Sequence, residues 1–470
     1  MEANNEDKHK KWLQKRKYTF VAFSIQMIII GMEWSLTLAT LWSYINEMNI
    51  ANNQQLIYGL VSVSYMFAST VTTPFVGRYV DRRRNINTWF LICNIFMLTG
   101  NMIYSLPFSP LFLIGGRVLS GFGGALKSII YSETIRCYQP NEIYSKLSIL
   151  SMMLYFGFML GPVISFFFYR INFFIGYWHL QSANFHALFL SILCFIMEIL
   201  SMKMVYDISK ELDYKTLEKN TSSIDKINEL HIDDVLPLLE DDRENEATTV
   251  LKPALLQPIN SNQHSVINIL KVLFFSFDSA LVLFSNFFIA FYFIITYDWL
   301  SFIIIERISR SLTEIIIWYF GVSGICAIML IRIIYRPFSD EKMAIITILS
   351  LVGFCILSAV YIIVSYIPNT KGLIILMIIV SMTNYVGLPI ITDVYFVGTF
   401  AKMVNSNVLT FVDSVRSSCF TAGALMAFSF SAFIFHYVAV FGILFMVIMV
   451  VITILFNCRK KHFINPKLLI

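Results

Sequence analysis

The 470-residue chain is 57% hydrophobic, 16% aromatic and only 14% charged, with a mean hydropathy of +0.69, whereas a soluble domain carries about 25% charged residues. This composition excludes a soluble enzyme, a disordered chain and a nucleic-acid binder that relies on basic clusters. The net charge of +5 hides a division: residues 206–270 carry thirteen Asp and Glu against six Lys and Arg, and the remainder is basic.

Residues 1–17 form a polar, basic segment without a small-residue cleavage site, so the first span is expected to act as signal and anchor. A helix that crosses about 30 Å of hydrocarbon needs about 20 largely apolar residues. Six such stretches precede the acidic segment, at 18–45, 56–80, 88–106, 111–131, 147–169 and 183–205. Six follow it, at 272–296, 312–333, 343–367, 372–400, 408–435 and 439–456. They are continuous apolar blocks, unlike the alternating ten-residue strands of a membrane barrel. The predicted fold is an all-α integral membrane protein with twelve transmembrane helices in two six-helix bundles, 18–205 and 272–457. An acidic linker at 206–271 joins the bundles, and a basic tail occupies 458–470.

Lys and Arg concentrate on one side of these spans, in the N-terminal segment, at Arg78 and Arg82 to Arg84, at Arg136, Lys146, Lys342 and Lys402, and in the tail. The positive-inside rule makes that side cytoplasmic, with both termini and the linker. Within the linker, Asp234-Val-Leu-Pro-Leu238-Leu239 fits the acidic dileucine form that clathrin adaptor proteins read when they sort cargo to endosomes and lysosomes. The alternative is stray leucines in an acidic loop. The seven cysteines lie singly, so neither a disulfide framework nor a zinc site is expected.

Between the second and third spans the chain reads Gly77-Arg-Tyr-Val-Asp81-Arg82-Arg-Arg-Asn. This resembles the G-x-L-x-D-R-x-G-R-R loop of the major facilitator superfamily, with Tyr79 in place of Leu and Arg84 and Asn85 in place of Gly and Arg. The resemblance implies that Gly77 permits close helix approach and that Asp81 and Arg82 form a charge lock between helices. Without it, the segment reads as an ordinary basic loop. Gly116-Arg117-Val-Leu-Ser-Gly121-Phe-Gly123-Gly124 resembles the superfamily's R-x-x-x-G-x-G motif in the fourth span. Gly157-Phe-Met-Leu-Gly161-Pro162 resembles the core of its antiporter motif and reads equally as a close-packing face with a proline kink. Thr40 to Tyr44, the block from Gly115 to Ala125, the segment 147–162, Gly387-Leu-Pro389 with Tyr395, and Arg416 resemble the lysosomal branch typified by major facilitator superfamily domain-containing protein 8. That likeness implies a lysosomal or late-endosomal membrane and anion handling.

Charges within the spans are expensive and mark functional sites. Glu33 lies about 22 Å along the first span, too deep to reach the interface. It is either a proton acceptor in a coupled transporter or a structural partner of Lys127 or Arg416. Lys127 shares a helical face with Ser120. The resemblance puts the first, fourth, seventh and tenth spans around a central cavity, where Glu33 and Lys127 are expected to meet. Arg117 should face a partner or that cavity. Asp393 reads as a cavity acid or a gate partner of Lys402, and Asp413 and Arg416, at i and i+3, as a mutually neutralising pair.

The expected activity is secondary transport of a small molecule or ion across an endolysosomal bilayer, without bond chemistry, cofactor, metal or nucleic acid. The rivals are an anion (chloride) channel on the same fold, lined by Lys127, Arg117 and Arg416, and a non-transporting receptor or scaffold that works through its linker. The linker reading makes one prediction. Leu238→Ala combined with Leu239→Ala should move the protein toward the cell surface in fluorescence localisation, and an unchanged lysosomal pattern defeats the motif.

Overall fold

The computed structural model describes residues 2–48, 54–168, 170–211, 265–303, 331, 335, 339–366, 391–464 and 466. The linker motif Asp234, Leu238 and Leu239, nearly all of the eighth span and the first part of the tenth lie outside these residues. Apolar segments of this length can satisfy their backbone groups in lipid only within helices or closed barrels, and the chain forms helices. They are α1 (Glu2–Glu47), α2 (Gln54–Arg83), α3 (Ile86–Tyr104), α4 (Pro110–Phe122), α5 (Leu126–Cys137), α6 (Pro140–Phe167) and α7 (Ser182–Met204) in the first half. The second half has α8 (Val266–Phe275), α9 (Phe277–Ile303), α10 (Asp340–Tyr366), α11 over residues 391–403, α12 (Leu409–His436) and α13 (Val438–Ile464). Among the described residues, seven helices are long and apolar enough to cross a membrane.

Sequence expectation and structure diverge at four places. Helix α1 starts at Glu2, because the Lys- and Glu-rich arm contains good helix formers and no breaker. Its 46 residues extend about 69 Å, so it projects well beyond the hydrocarbon. The fourth span is split by a 3₁₀ turn at Gly123–Ala125, where consecutive glycines weaken the α-helix. The seventh span begins at Phe277, because Ser276 takes an extended conformation (ψ 128°) between α8 and α9. Finally, a hairpin stands between the fifth and sixth spans. Its strands β1 (Asn172–Ile175) and β2 (Trp178–Gln181) pair antiparallel, Asn172 opposite Gln181 and Ile175 opposite Trp178. Gly176 turns the chain at φ +61°, a conformation that suits a two-residue hairpin loop.

Close backbone approach replaces the hydrophobic effect as the means of packing helices in lipid. Helix α1 crosses α6 where Gly31 and Gly157 face each other's backbones. A Cβ at Gly157 would overlap the Ile28 carbonyl, and one at Gly31 the Leu154 carbonyl. Gly121 and Gly123 similarly admit the Tyr65 and Cys93 carbonyls. Gly161 is buried, and α6 runs without a break past Pro162. On the outside, α13 exposes Val440, Leu444, Val447, Val451 and Ile454, the apolar surface that lipid would cover.

The first residues after α7 dock back onto the first half. Ile208 is buried with Trp12 and Cys137, the Ser209 N–H donates to Glu133 Oε1 at 2.9 Å, and Asp207 Oδ1 accepts from the Asn87 N–H at 2.9 Å. Lys15 pairs with Glu211 at 2.6 Å. Among the described residues, the halves meet mainly where α2 and α5 pack on α12.

The crossing of α1 and α6 predicts that Gly157→Leu, which overpacks the contact, should destabilise the protein by about 1–3 kcal/mol. A lowered melting temperature in detergent checks this, and native-like stability would contradict it.

Candidate functional site

At the basic end, α2 leaves the bundle through the Gly77 to Asp81 turn, and a Cβ on Gly77 would overlap Ser414 and the Thr410 carbonyl of α12. This contact carries Asp81 to the N-terminus of α12, where unpaired backbone N–H groups and the helix dipole favour a carboxylate. Asp81 Oδ2 accepts from the Phe411 N–H at 2.7 Å, and Oδ1 accepts from the Thr410 N–H at 3.1 Å. Arg136, at the end of α5, donates to Asp81 Oδ1 at 2.5 Å, to the Ser406 carbonyl at 2.8 Å and to Thr410 Oγ1 at 2.8 Å. Arg84, which ends α2 at φ +51°, donates to Ser406 O and Asn407 Oδ1 at 3.1 and 3.0 Å. The expected Asp81–Arg82 lock therefore has a different cation. Arg82 is exposed and forms no ion pair among the described residues, because adjacent helical residues point about 100° apart and Asp81 takes the inward direction.

Deeper in the protein a second group of charges joins the halves. Lys127 Nζ of α5 lies 2.9 Å from Asp393 Oδ2 of α11. Arg416 of α12 donates from Nη1 to Asp393 Oδ1 at 2.6 Å and from Nε to Asp413 Oδ1 at 2.7 Å. Tyr131 donates to Asp393 at 3.4 Å and shares a 2.8 Å hydrogen bond with Ser151. All four charged residues are at most 6% exposed. Two cations and two carboxylates cancel, which a buried set requires. Asp413 and Arg416 pair as their spacing indicated. Asp393 does not meet Lys402, which instead pairs with Asp340 near the surface at 2.5 Å.

Glu33 belongs to a separate cluster inside the first half. Its Oε1 lies 2.5 Å from Arg117 Nη1, and Asn101 donates to Oε2. The Arg117 guanidinium lies 4.5 Å from the centroid of the Tyr65 ring, whose hydroxyl accepts from Trp34 Nε1 at 3.1 Å. The anticipated meeting of Glu33 with Lys127 does not occur, nor does a pair with Arg416. Arg117 and Lys127 are ten residues, about 15 Å, apart along their span, and a buried carboxylate takes the cation at its own depth.

Between the two charge clusters lies a cavity of about 10 Å³ lined by Gly31, Trp34, Lys127, Tyr155, Phe293 and Phe420, room for about one water. Trp34 stacks on Phe420 with centroids 5.9 Å apart, and Phe158 meets Phe293 at 6.1 Å. Both contacts join first-half to second-half helices, so aromatic rings fill the path beside Lys127. The arrangement can hold and exchange charge between two bodies. Among the described residues no group of three His, Cys, Asp or Glu could hold a metal ion.

Sequence reading found Glu33, Arg117, Lys127, Asp393, Asp413 and Arg416 but missed Asn101, Tyr131 and the role of Arg136. Asn101 carried a usable signal, since an amide inside a span needs a hydrogen-bond partner. Arg136 was counted only as a basic residue at a helix end.

Comparison with solved structures finds this architecture repeatedly. The human organic anion transporter MFSD10 (TETRAN) superposes with a TM-score of 0.60 at 12% identity, over 94% of this chain and 99% of that one. The proton:xylose symporter XylE gives 0.63 at 11%, over 95% of each chain. A bacterial homologue of the iron transporter ferroportin, in its outward-facing state, gives 0.61 at 10%, over 94% and 98%. At such identities the likeness speaks to the fold. No curated protein matches the chain at a significant level. The family comparison matches residues 23–407 to the Major Facilitator Superfamily. Most of the chain lies inside that match and its helices adopt the corresponding fold, so this protein belongs to the major facilitator superfamily.

Proposed function

We propose that the chain is a secondary transporter that carries a small solute across an endolysosomal membrane by alternating access, with both termini and the linker in the cytosol. The observation that carries the mechanism is Asp393, held between Lys127 of one half and Arg416 of the other. Rocking of the halves must separate Lys127 from Asp393. A proton or an anionic solute can then compensate the separated charges, so the pair couples movement to binding. Glu33 contacts Arg117 and Asn101 within one half, so rocking leaves its pair intact and its role is to hold the first half together. The Asp81–Arg136–α12 contact closes the cytosolic side in this state. The endolysosomal address rests on the dileucine motif and on the sequence resemblance to the lysosomal branch.

An anion channel is the second reading, favoured by the cations at Lys127, Arg117 and Arg416. The filled path beside Lys127 counts against it in this state. Comparing metabolites of lysosomes with and without the protein identifies the solute, which proteoliposomes then test at fixed membrane potential. Saturable uptake driven by a pH gradient supports a carrier, and an ohmic current indifferent to that gradient supports a channel.

Two variants separate the roles. Asp393→Asn should abolish the pH dependence of uptake, whereas Glu33→Gln should keep it and lower thermal stability. The reverse pattern would return proton coupling to Glu33. At the cytosolic side, Asp81→Asn should reduce disulfide cross-linking between Arg84→Cys and Asn407→Cys roughly tenfold or more, because hydrogen bonds to a charged group are worth about 1.5–3 kcal/mol. Undiminished cross-linking would exclude Asp81 as the closing contact.

A further inference from the structure

We propose that a lateral cleft between the two halves binds one anionic phospholipid, with an acyl chain in the cleft and the phosphate on Arg78. The cleft encloses about 420 Å³, within the roughly 300–1,000 Å³ of ligand sites. Its walls come from three elements: α2 from Thr70 to Arg78, α12 from Phe411 to Ala422, and α8 through Val266 and Phe274. The α8 residues face it as one stripe because they recur at multiples of four. At 1.5 Å per residue, the α2 wall is about 12 Å long and the α12 wall about 16 Å. Helix α2 is long and apolar enough to cross a membrane and α12 packs along it, so the cleft between them would run alongside the surrounding lipid chains.

Its chemistry is lopsided. The lining is apolar apart from Thr70, Ser418 and Arg78, and Arg78 sits at the basic end, one turn from the exposed Arg82 and Arg83. The Arg78 guanidinium lies 6.0 Å from the Phe411 ring centroid, which sets it over the mouth of the cleft. A phospholipid has the matching order of groups, an apolar chain along the helices and a phosphate at the depth of the cation. Guanidinium binds phosphate through paired N–H donors. An anionic headgroup is preferred over a zwitterionic one, because it carries no ammonium to oppose three neighbouring arginines.

Occupancy is tied to conformation. The two long walls belong to different halves, and Phe411 of the α12 wall donates to Asp81. Separation of the halves at this face dismantles the cleft, so the lipid favours the closed cytosolic side by differential affinity. This proposal holds whatever solute the protein moves.

The test uses the full chain in nanodiscs of phosphatidylcholine and phosphatidylglycerol in equal parts, with retained lipid counted by native mass spectrometry. The native chain should retain one phosphatidylglycerol in preference to phosphatidylcholine. Arg78→Gln should reduce that preference about fivefold, the factor that one cation near a lipid surface supplies. Ala422→Phe, which fills the cleft from α12, should abolish retention of both lipids. Should Arg78→Gln fail to fold, Ala422→Phe decides alone: lost retention supports the site, and undiminished retention overturns it. Equal retention of the two lipids by the native chain, or a preference that Arg78→Gln leaves intact, likewise overturns the proposal.

Discussion

The constraint that organises this protein is that an ion removed from water must find its counter-ion within the helix bundle. Burying a lone charge costs several kcal/mol even after relaxation, so each of the buried ion pairs fixes the depth and rotation of the helices that carry it. Glu33 and Arg117 register α1 against α4. Asp81 and Arg136 register α2 against α5 and fasten both to α12. Lys127, Asp393, Arg416 and Asp413 tie α5 to α11 and α12. Two of these three groups span the halves. The charges of those two groups hold the halves together in this arrangement, and a separation of the halves would have to part them.

Small residues make that registration possible. Helices in lipid gain little from apolar burial alone and must come close enough for dispersion and polar contacts to act. Gly31 and Gly157 bring α1 and α6 into backbone contact, and Gly77 does the same for α2 and α12. The 3₁₀ turn at Gly123–Ala125 lies between Arg117 and Lys127, so one span delivers one cation inside its own half and another to the partner half. A straight, uninterrupted helix would fix the angle between those two directions by sequence spacing alone.

The all-helical membrane fold and the charges at Glu33, Arg117, Lys127, Asp393, Asp413 and Arg416 were legible in the sequence, because a run of apolar residues interrupted by one ionised group is a strong signal. The pairing among those charges was not. Glu33 was expected beside Lys127 because both face inward, yet depth along the helix decides partners, and depth is compared between spans that the sequence does not align. Asp393 illustrates the same limit: Lys402 is its neighbour in sequence, but Lys127, from the other half, is its neighbour in space. The lock partner of Asp81 was hidden for a related reason, since Arg136 lies 55 residues away and nothing in its local sequence marks it. The break at Ser276 and the hairpin at Asn172–Gln181 follow from local turn geometry, which hydropathy does not register.

The docking of Ile208, Ser209 and Glu211 onto the first half moves the effective start of the connection between the halves to residue 212. From there to Ser265 the polypeptide could reach about 170 Å if drawn out fully, several times the thickness of a bilayer. A contour of that length can join the two ends in many relative placements, so the covalent link alone does not dictate how the two bodies are set against each other. That orientation is left to a handful of side chains at the seam, and each can in principle be tuned by a single substitution without altering the tether.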